Sequence, residues 1–475
     1  MKKSRFNPSG AMRAGAYSIV ITAVVLAILI AVNVCMAALP ASATEYDISS
    51  SKLYSVTSNT KSVVNALTED VTIYWIVQAD AEDAVIEKLL DRYESLSEHI
   101  KVEKRNPDVY PTFAEEYIDE DDSVYNNSLV VECGERSRYI PYTDIYITDS
   151  SVYSYSYTTS FDGEGAITSA IDYVTNPDQP VVYRLTGHGE SELPATFSDS
   201  LEKDNITVED FSLLNSDEIP EDAAALIIYS PQSDVSADEA ELLSDYVADG
   251  GKLLVMAGPT QDAELTNLYG ILEPYGVTPV EGIVIEGDRA HYAFSTPALL
   301  MPDMAESDIT SPLTDEGYYL IMPLAGGLEV GDNSSSATVT SLLTTSDAAF
   351  SKLAGWDMTT YEKEDGDIDG PFSLGVLVEY EGGGGLVWIN SGIFLEDMYN
   401  AYSSGANVNL AMNALSSLIG ESETMAIRAK SLNYNYLTIS DSTAGLLKFL
   451  LIGVIPLAFI GVGIAVVVRR RRLLK

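Results

Sequence analysis

Three groups of side chains in this sequence have types and spacing suited to chemistry. Gly187-His188-Gly189-Glu190 follows the β-rich run Val181–Leu185 and precedes a predicted helix. Open α/β sheets bind ligands in loops at the carboxyl ends of their strands, so this is where a site would sit. His188 could act there as a base or a metal ligand, with Glu190 as its partner. The same residues also read as a tight turn in which the polar pair caps the next helix. The second group, Asp365-Gly366-Asp367-Ile368-Asp369-Gly370, sets carboxylates at alternate positions before a glycine, as in the first half of a calcium loop. Its twelfth position is Val376, where that loop needs a bidentate glutamate, and Glu379 comes three residues too late. A full EF-hand is therefore excluded, which leaves a looser calcium site on Asp365, Asp367 and Asp369 or a plain acidic loop. No other cofactor is expected. The third group, Tyr153, Tyr155 and Tyr157, alternates, so its rings share one face of a strand as a platform for sugar rings or simply as one face of a sheet.

Absences narrow the chemistry. There is no G-x-x-x-x-G-K-[ST] phosphate loop and no G-x-S-x-G elbow, and His99, His188 and His291 are scattered without metal-ligand spacing. A motor ATPase is excluded. Two cysteines, Cys35 and Cys133, give no disulfide framework.

The elements that must position these groups begin with two apolar runs. Residues 14–39 carry no charged side chain, and Phe449–Val468, within a predicted span of 446–468, is a second uncharged run broken only by Pro456. Both have the length of a transmembrane helix. Lys2, Lys3, Arg5 and Arg13 precede the first, and Arg469 to Arg472 and Lys475 follow the second, which predicts cytoplasmic termini in a two-pass plasma (inner) membrane protein. A cleaved signal peptide ending near Ala41-Ser42-Ala43 is the alternative for the first run. The net charge is −44, and outside the apolar runs and their flanks 17 Lys and Arg face 71 acids, a charge near −54. Such a surface repels nucleic acid and attracts cations.

The predicted fold class is α/β, with the two transmembrane helices flanking an extracytoplasmic region. After a cytoplasmic tail, 1–13, and the first span, 14–39, residues 45–160 hold an N-terminal α/β subdomain. There the β run Val71–Gln78, a helix over Asp83–His99, a strand at Ile100–Lys104 and a closing hairpin at Ser128–Glu132 and Ser137–Pro141 suit a thioredoxin-like subdomain without a C-x-x-C motif. Residues 164–420 read as a flavodoxin-like (doubly wound) α/β domain with an irregular β-rich C-terminal part, because strands at Val181–Leu185, Ile206–Phe211, Ala224–Tyr229 and Lys252–Ala257 alternate with helices at Glu192–Lys203 and Asp238–Ala248. Later runs fall at Val277–Ile285, Ala337–Thr344, Phe372–Tyr380 and Leu386–Asn390, with a helix over Asn407–Leu418. A juxtamembrane segment, 421–445, the span 446–468 and a basic tail, 469–475, complete the chain.

Several stretches resemble the GldG-like family of ABC-2 transporter auxiliary proteins. They are Asp47 to Thr60, Asp70 to Tyr74, Val182 to Glu190 with its Thr186-Gly187-His188-Gly189-Glu190 core, Tyr246 to Leu254 with Asp249-Gly250-Gly251-Lys252, and Ala426 to Ser431. The resemblance runs in order along nearly the whole chain. It implies a non-catalytic accessory subunit that works with an ABC-2 type permease and a separate ATP-binding cassette ATPase in export or gliding-type machinery, and it brings no catalytic residues with it. The alternative from another class is an anchored extracytoplasmic hydrolase or a ligand or carbohydrate receptor that uses Gly187–Glu190.

Overall fold

The computed structural model describes residues 17, 20–32, 53, 55–118, 124–149, 158–216, 218–333, 335–380, 383–420, 430 and 431 and, singly, 456, 461, 463 and 469. Met1–Ser431 form one unit and Leu432–Lys475 a second, and the elements below belong to the first.

The N-terminal elements are α1 (Ser58–Asn65), β1 (Val71–Ile76), α2 (Ala84–Leu96), β2 (Ile100–Arg105), β3 (Ser128–Cys133), β4 (Arg136–Ile140) and α3 (Gly163–Thr175). Alternation in β1 buries Val71, Ile73 and Trp75. In α2, Ile86, Leu89, Leu90 and Tyr93 recur at helical spacing on one buried face. That helix starts where Asp83 accepts hydrogen bonds from the backbone N–H groups of Val85 and Ile86, at 2.8 and 3.1 Å. The sheet order is β2-β1-β3-β4, with β1 parallel to β2, antiparallel to β3, and β3 antiparallel to β4. The predicted β-α-β start and terminal hairpin are thus present. A buried polar network joins the helices: Thr60 Oγ1 donates to Glu164 Oε1 at 2.7 Å, and the Tyr93 hydroxyl reaches the Glu164 carbonyl at 3.0 Å and Thr168 Oγ1 at 2.5 Å.

The larger sheet is built from β5 (Val181–Leu185), β6 (Thr207–Phe211), β7 (Ala223–Tyr229), β8 (Lys252–Met256), β9 (Thr338–Thr344), β10 (Ser373–Glu379) and β11 (Gly385–Ile389), joined by α4 (Ala195–Lys203) and α5 (Ala237–Ala248) and followed by α6 (Ala406–Ile419). Its parallel part runs β6-β5-β7-β8-β11, and β10, antiparallel to β11, carries it on to Gly327–Val330 and Val277–Val280. Among the described residues ten strands make one sheet, so the irregular C-terminal part continues it. Both faces are covered. Val182, Ile227, Leu254, Val387 and Ile389 face a core shared with Phe197 of α4 and Leu410 and Leu415 of α6. Leu226, Ile228, Leu253, Val255 and Trp388 face Leu243 and Val247 of α5 on the other side. Strands buried on two faces read as near-continuous apolar runs, which is why β7 and β8 are legible in the sequence.

The run Val277–Ile285 splits in two. Gly282, at φ +101°, turns the chain where a Cβ would lie 2.4 Å from the Lys352 carbonyl oxygen. As a result Ile283–Ile285 leaves the large sheet and pairs with Phe350–Lys352. Helix α4 begins at Ala195 rather than Glu192, because Pro194 keeps the residue before it, Leu193, out of the helical region.

The two transmembrane helices, and with them the two-pass membrane placement, are corrected: among the described residues no helix is long and apolar enough to cross a membrane. Within the first expected span, 20–32 is helical. The rest of 14–39 apart from residue 17, and 446–468 apart from residues 456, 461 and 463, lie outside the described residues, as does the tyrosine run 153–157.

Candidate functional site

In the parallel part of the large sheet the connections leave in opposite directions on either side of β5 and β7, and the loops after those two strands part there. Such a switch point is where open α/β sheets place ligands. The Gly187–Glu190 loop lies at this point. Gly187 (φ +126°) and Gly189 (φ +75°) hold conformations that favour glycine, and a Cβ on Gly187 would meet Leu214 Cδ1 at 2.8 Å. The loop is pinned to the one after β7, for the His188 carbonyl accepts from Gln232 N at 3.0 Å, Ser233 N at 2.9 Å and Ser233 Oγ at 2.9 Å.

The His188 ring is buried between two carboxylates. Nε2 lies 3.2 Å from Glu239 Oε2, and Nδ1 lies 3.5 Å from Glu190 Oε1, which is ion-pair range outside hydrogen-bond geometry. The other Glu190 oxygen accepts the His188 backbone N–H at 2.7 Å. Glu239 belongs to a capping box at the start of α5: Ser236 Oγ accepts the Glu239 N–H at 3.2 Å, and the Ser236 N–H donates to Glu239 Oε2 at 2.7 Å. Burial alone would raise the Glu239 carboxyl. The bonds from Ser236 and the contact with His188 outweigh it, and the group is held below the usual carboxylate range. His188 Nδ1, Glu190 Oε1 and Glu239 Oε1 are buried without hydrogen-bond partners.

The predicted residues are therefore brought together, with a third that sequence reading missed. The pair does not cap the helix that follows it, since α4 starts at Ala195 with Pro194 before it and no side-chain cap. It is tied instead to α5. Ser236-x-x-Glu239 is visible in the sequence as a capping signature, but nothing there links it to His188, 51 residues earlier.

A second feature opens beside this loop. Arg184, the fourth residue of β5, forms a two-pronged pair with Asp210 of β6, Nε to Oδ1 at 2.8 Å and Nη2 to Oδ2 at 2.9 Å, and also contacts Glu192. Asp210 holds the guanidinium above its ordinary value, and Arg184 in turn holds the Asp210 carboxyl below its own. This fork floors a cleft of about 1290 Å³ between the two sheets, walled by Ser137 and Arg138 of β4 and Val208 and Asp210 of β6. Arg138 crosses to the far wall through Asn205 Oδ1.

Asp365, Asp367 and Asp369 do not converge. Lys352, whose side chain is fully buried, extends Nζ to the Glu362 carbonyl at 2.6 Å, Glu364 Oε2 at 2.7 Å and Asp367 Oδ2 at 3.4 Å. Asp367 also accepts the backbone N–H groups of Leu353 and Glu364, and Asp369 pairs with Lys363. Two lysine ammoniums, Lys352 from inside and Lys363 from the surface, thus pair with carboxylates of this loop. Among the described residues no three His, Cys, Asp or Glu side chains are grouped to hold a metal ion.

Among known proteins, the family described as "ABC-type uncharacterized transport system" matches residues 179–381, and "Domain of unknown function (DUF7088)" matches residues 50–148. No curated protein matches. Similar solved structures include the mmIFT52 N-terminal domain (17% identity, TM-score 0.37, 52% of this chain and 99% of that one). A putative ThuA-like protein from Bacteroides uniformis (12%, TM-score 0.29, 51% and 91%) and a glutamine amido transferase from Methylobacillus flagellatus (12%, TM-score 0.26, 54% and 99%) are others. Likenesses this distant carry no argument about function. Residues 179–381 span β5 to β10 and contain both the His188 loop and the Arg184 fork, and the match of this region to the ABC-type uncharacterized transport system family fits a GldG-like auxiliary component of ABC transport.

Proposed function

We propose that this chain is a non-catalytic auxiliary subunit that works with an ABC-2 type permease and a separate ATP-binding cassette ATPase, handling substrate or scaffolding the complex. The family match over residues 179–381 carries the reading, since it attaches the domain holding the candidate site to ABC transport. The absence of a phosphate loop from the sequence supports it, because the energy of transport must then come from another chain. The hydrolase alternative asks His188 to reach a substrate, whereas its side chain is 7% exposed and sits behind Glu190 and Glu239. Affinity purification of the full chain from its native host in mild detergent tests the proposal. A permease and an ATP-binding cassette protein are expected to co-purify in fixed ratio, and their absence across detergents and salt concentrations would overturn it.

A further inference from the structure

We propose that the outer edge of β6 receives an extended, basic peptide segment of a partner protein as an added strand, within the cleft between the two sheets. This goes beyond the transporter reading and does not depend on it.

Among the described residues, strand β6 ends the ten-stranded sheet and pairs with β5 alone. In a parallel pair, alternate residues turn both backbone groups toward the partner. Two bonds fix the phase: Thr207 N donates to the Pro180 carbonyl at 3.0 Å, and Thr186 N donates to the Phe211 carbonyl at 2.8 Å. Thr207, Glu209 and Phe211 therefore serve β5, while the N–H and C=O groups of Val208 and Asp210 point away from the sheet. No described residue supplies a partner for those outward groups, and both residues line the cleft.

An open edge is blunted by short length and charged side chains, or closed by proline, a bulge or a covering helix, and β6 carries the first kind of guard, which repels a like-charged strand but not a basic one. β6 reads Thr-Val-Glu-Asp-Phe and has no proline. Its two acids disfavour a second copy of the same strand, because like charges would face each other across the new pair. Around the opening, Asp144, Glu192, Glu202 and Asp210 outnumber Arg138 and Arg184, and both arginines are already engaged within the chain. Burial raises the Asp144 carboxyl more than nearby Lys203 lowers it, so this group gains from an arriving cation. Backbone groups that call for a strand, together with surplus carboxylates beside them, select an extended segment bearing Lys or Arg.

The full chain, titrated into a fluorescein-labelled peptide of alternating Lys and Thr, gives the test by anisotropy at low and physiological salt. Saturable binding is expected, and the matching Glu-Thr peptide should not bind. N-methylation of alternate peptide nitrogens distinguishes a ladder from simple charge attraction: one phase should weaken binding about tenfold and the other should leave it unchanged. Val208→Pro, which removes an outward N–H without touching the bonds to β5, should weaken binding about tenfold. If that variant melts early, Asp144→Asn combined with Glu202→Gln leaves the backbone alone and should lower affinity and flatten its salt dependence. Equal binding by both N-methylated phases, equal binding of the Glu-Thr peptide, or no binding overturns the proposal. Self-association of the chain that Val208→Pro abolishes overturns it in favour of a second copy.

Discussion

His188 and Glu239 offer a measurement in which burial alone separates two otherwise similar contacts. Their Nε2–Oε2 distance is 3.2 Å, with the side chains 7% and 12% exposed. His291 and Asp288 lie the same 3.2 Å apart, with side chains 23% and 46% exposed. A hydrogen bond to a charged group shielded from water is worth about 1.5–3 kcal/mol, whereas an exposed pair contributes about 0–1 kcal/mol. In a double-mutant cycle read by urea unfolding at neutral pH, His188→Ala with Glu239→Gln should show a coupling of about 1.5 kcal/mol or more, and His291→Ala with Asp288→Asn less than about 0.5 kcal/mol. His188→Ala alone should cost about 3 kcal/mol, because it also leaves Glu190 and Glu239 facing each other across a cavity. The pH dependence has a fixed sign. Glu239 is depressed in the folded state, so its contribution is present above the unfolded value of about 4.3 and is lost as pH falls through the folded value. Glu239→Gln should therefore flatten the acid limb of the stability profile. Equal couplings in the two cycles, or a His188–Glu239 coupling near zero, would refute the view of this loop as an internal clamp.

Three other outcomes follow from the same geometry. Gly187→Ala should destabilise by about 2–4 kcal/mol, combining backbone strain with the overlap on Leu214, whereas Gly134→Ala, at φ +59° with nothing within 4 Å, should cost about 1 kcal/mol; thermal melts of the two variants rank them. Asp144→Asn should be slightly more stable than the parent at pH 7, by less than about 1 kcal/mol after solvent screening. The advantage should fade on acidification, since a carboxyl raised by burial burdens the folded state only while ionised. Calcium or a chelator should leave the melting temperature unmoved, because Lys352 and Lys363 supply the positive charge of the 362–369 loop, and Lys352→Met should lower that temperature whether or not calcium is present.

The parts of this fold that could be read from sequence are those where one physical signal dominates. Strands β7 and β8 are apolar on both faces, α2 carries its core residues at helical spacing, and the glycines after α5 mark its end. The split of Val277–Ile285 was hidden, since Gly282 turns the chain for the sake of a carbonyl 70 residues later. The candidate site was half legible. Gly187–Glu190 stood out by composition and by its place after a strand, but Glu239, the Arg184–Asp210 fork and the ammonium of Lys352 act through tertiary proximity that no local pattern encodes. Apolar composition pointed the other way at 14–39 and 446–468, where no helix of the described residues is long and apolar enough to cross a membrane.

The most direct test of an auxiliary role is the nucleotide turnover of the co-purified permease and ATPase, measured with and without this chain. The chain alone should release no phosphate from ATP, and its addition should change the substrate-stimulated rate of the other two. Hydrolysis by the isolated chain, or a rate indifferent to its presence at saturating concentration, would contradict it.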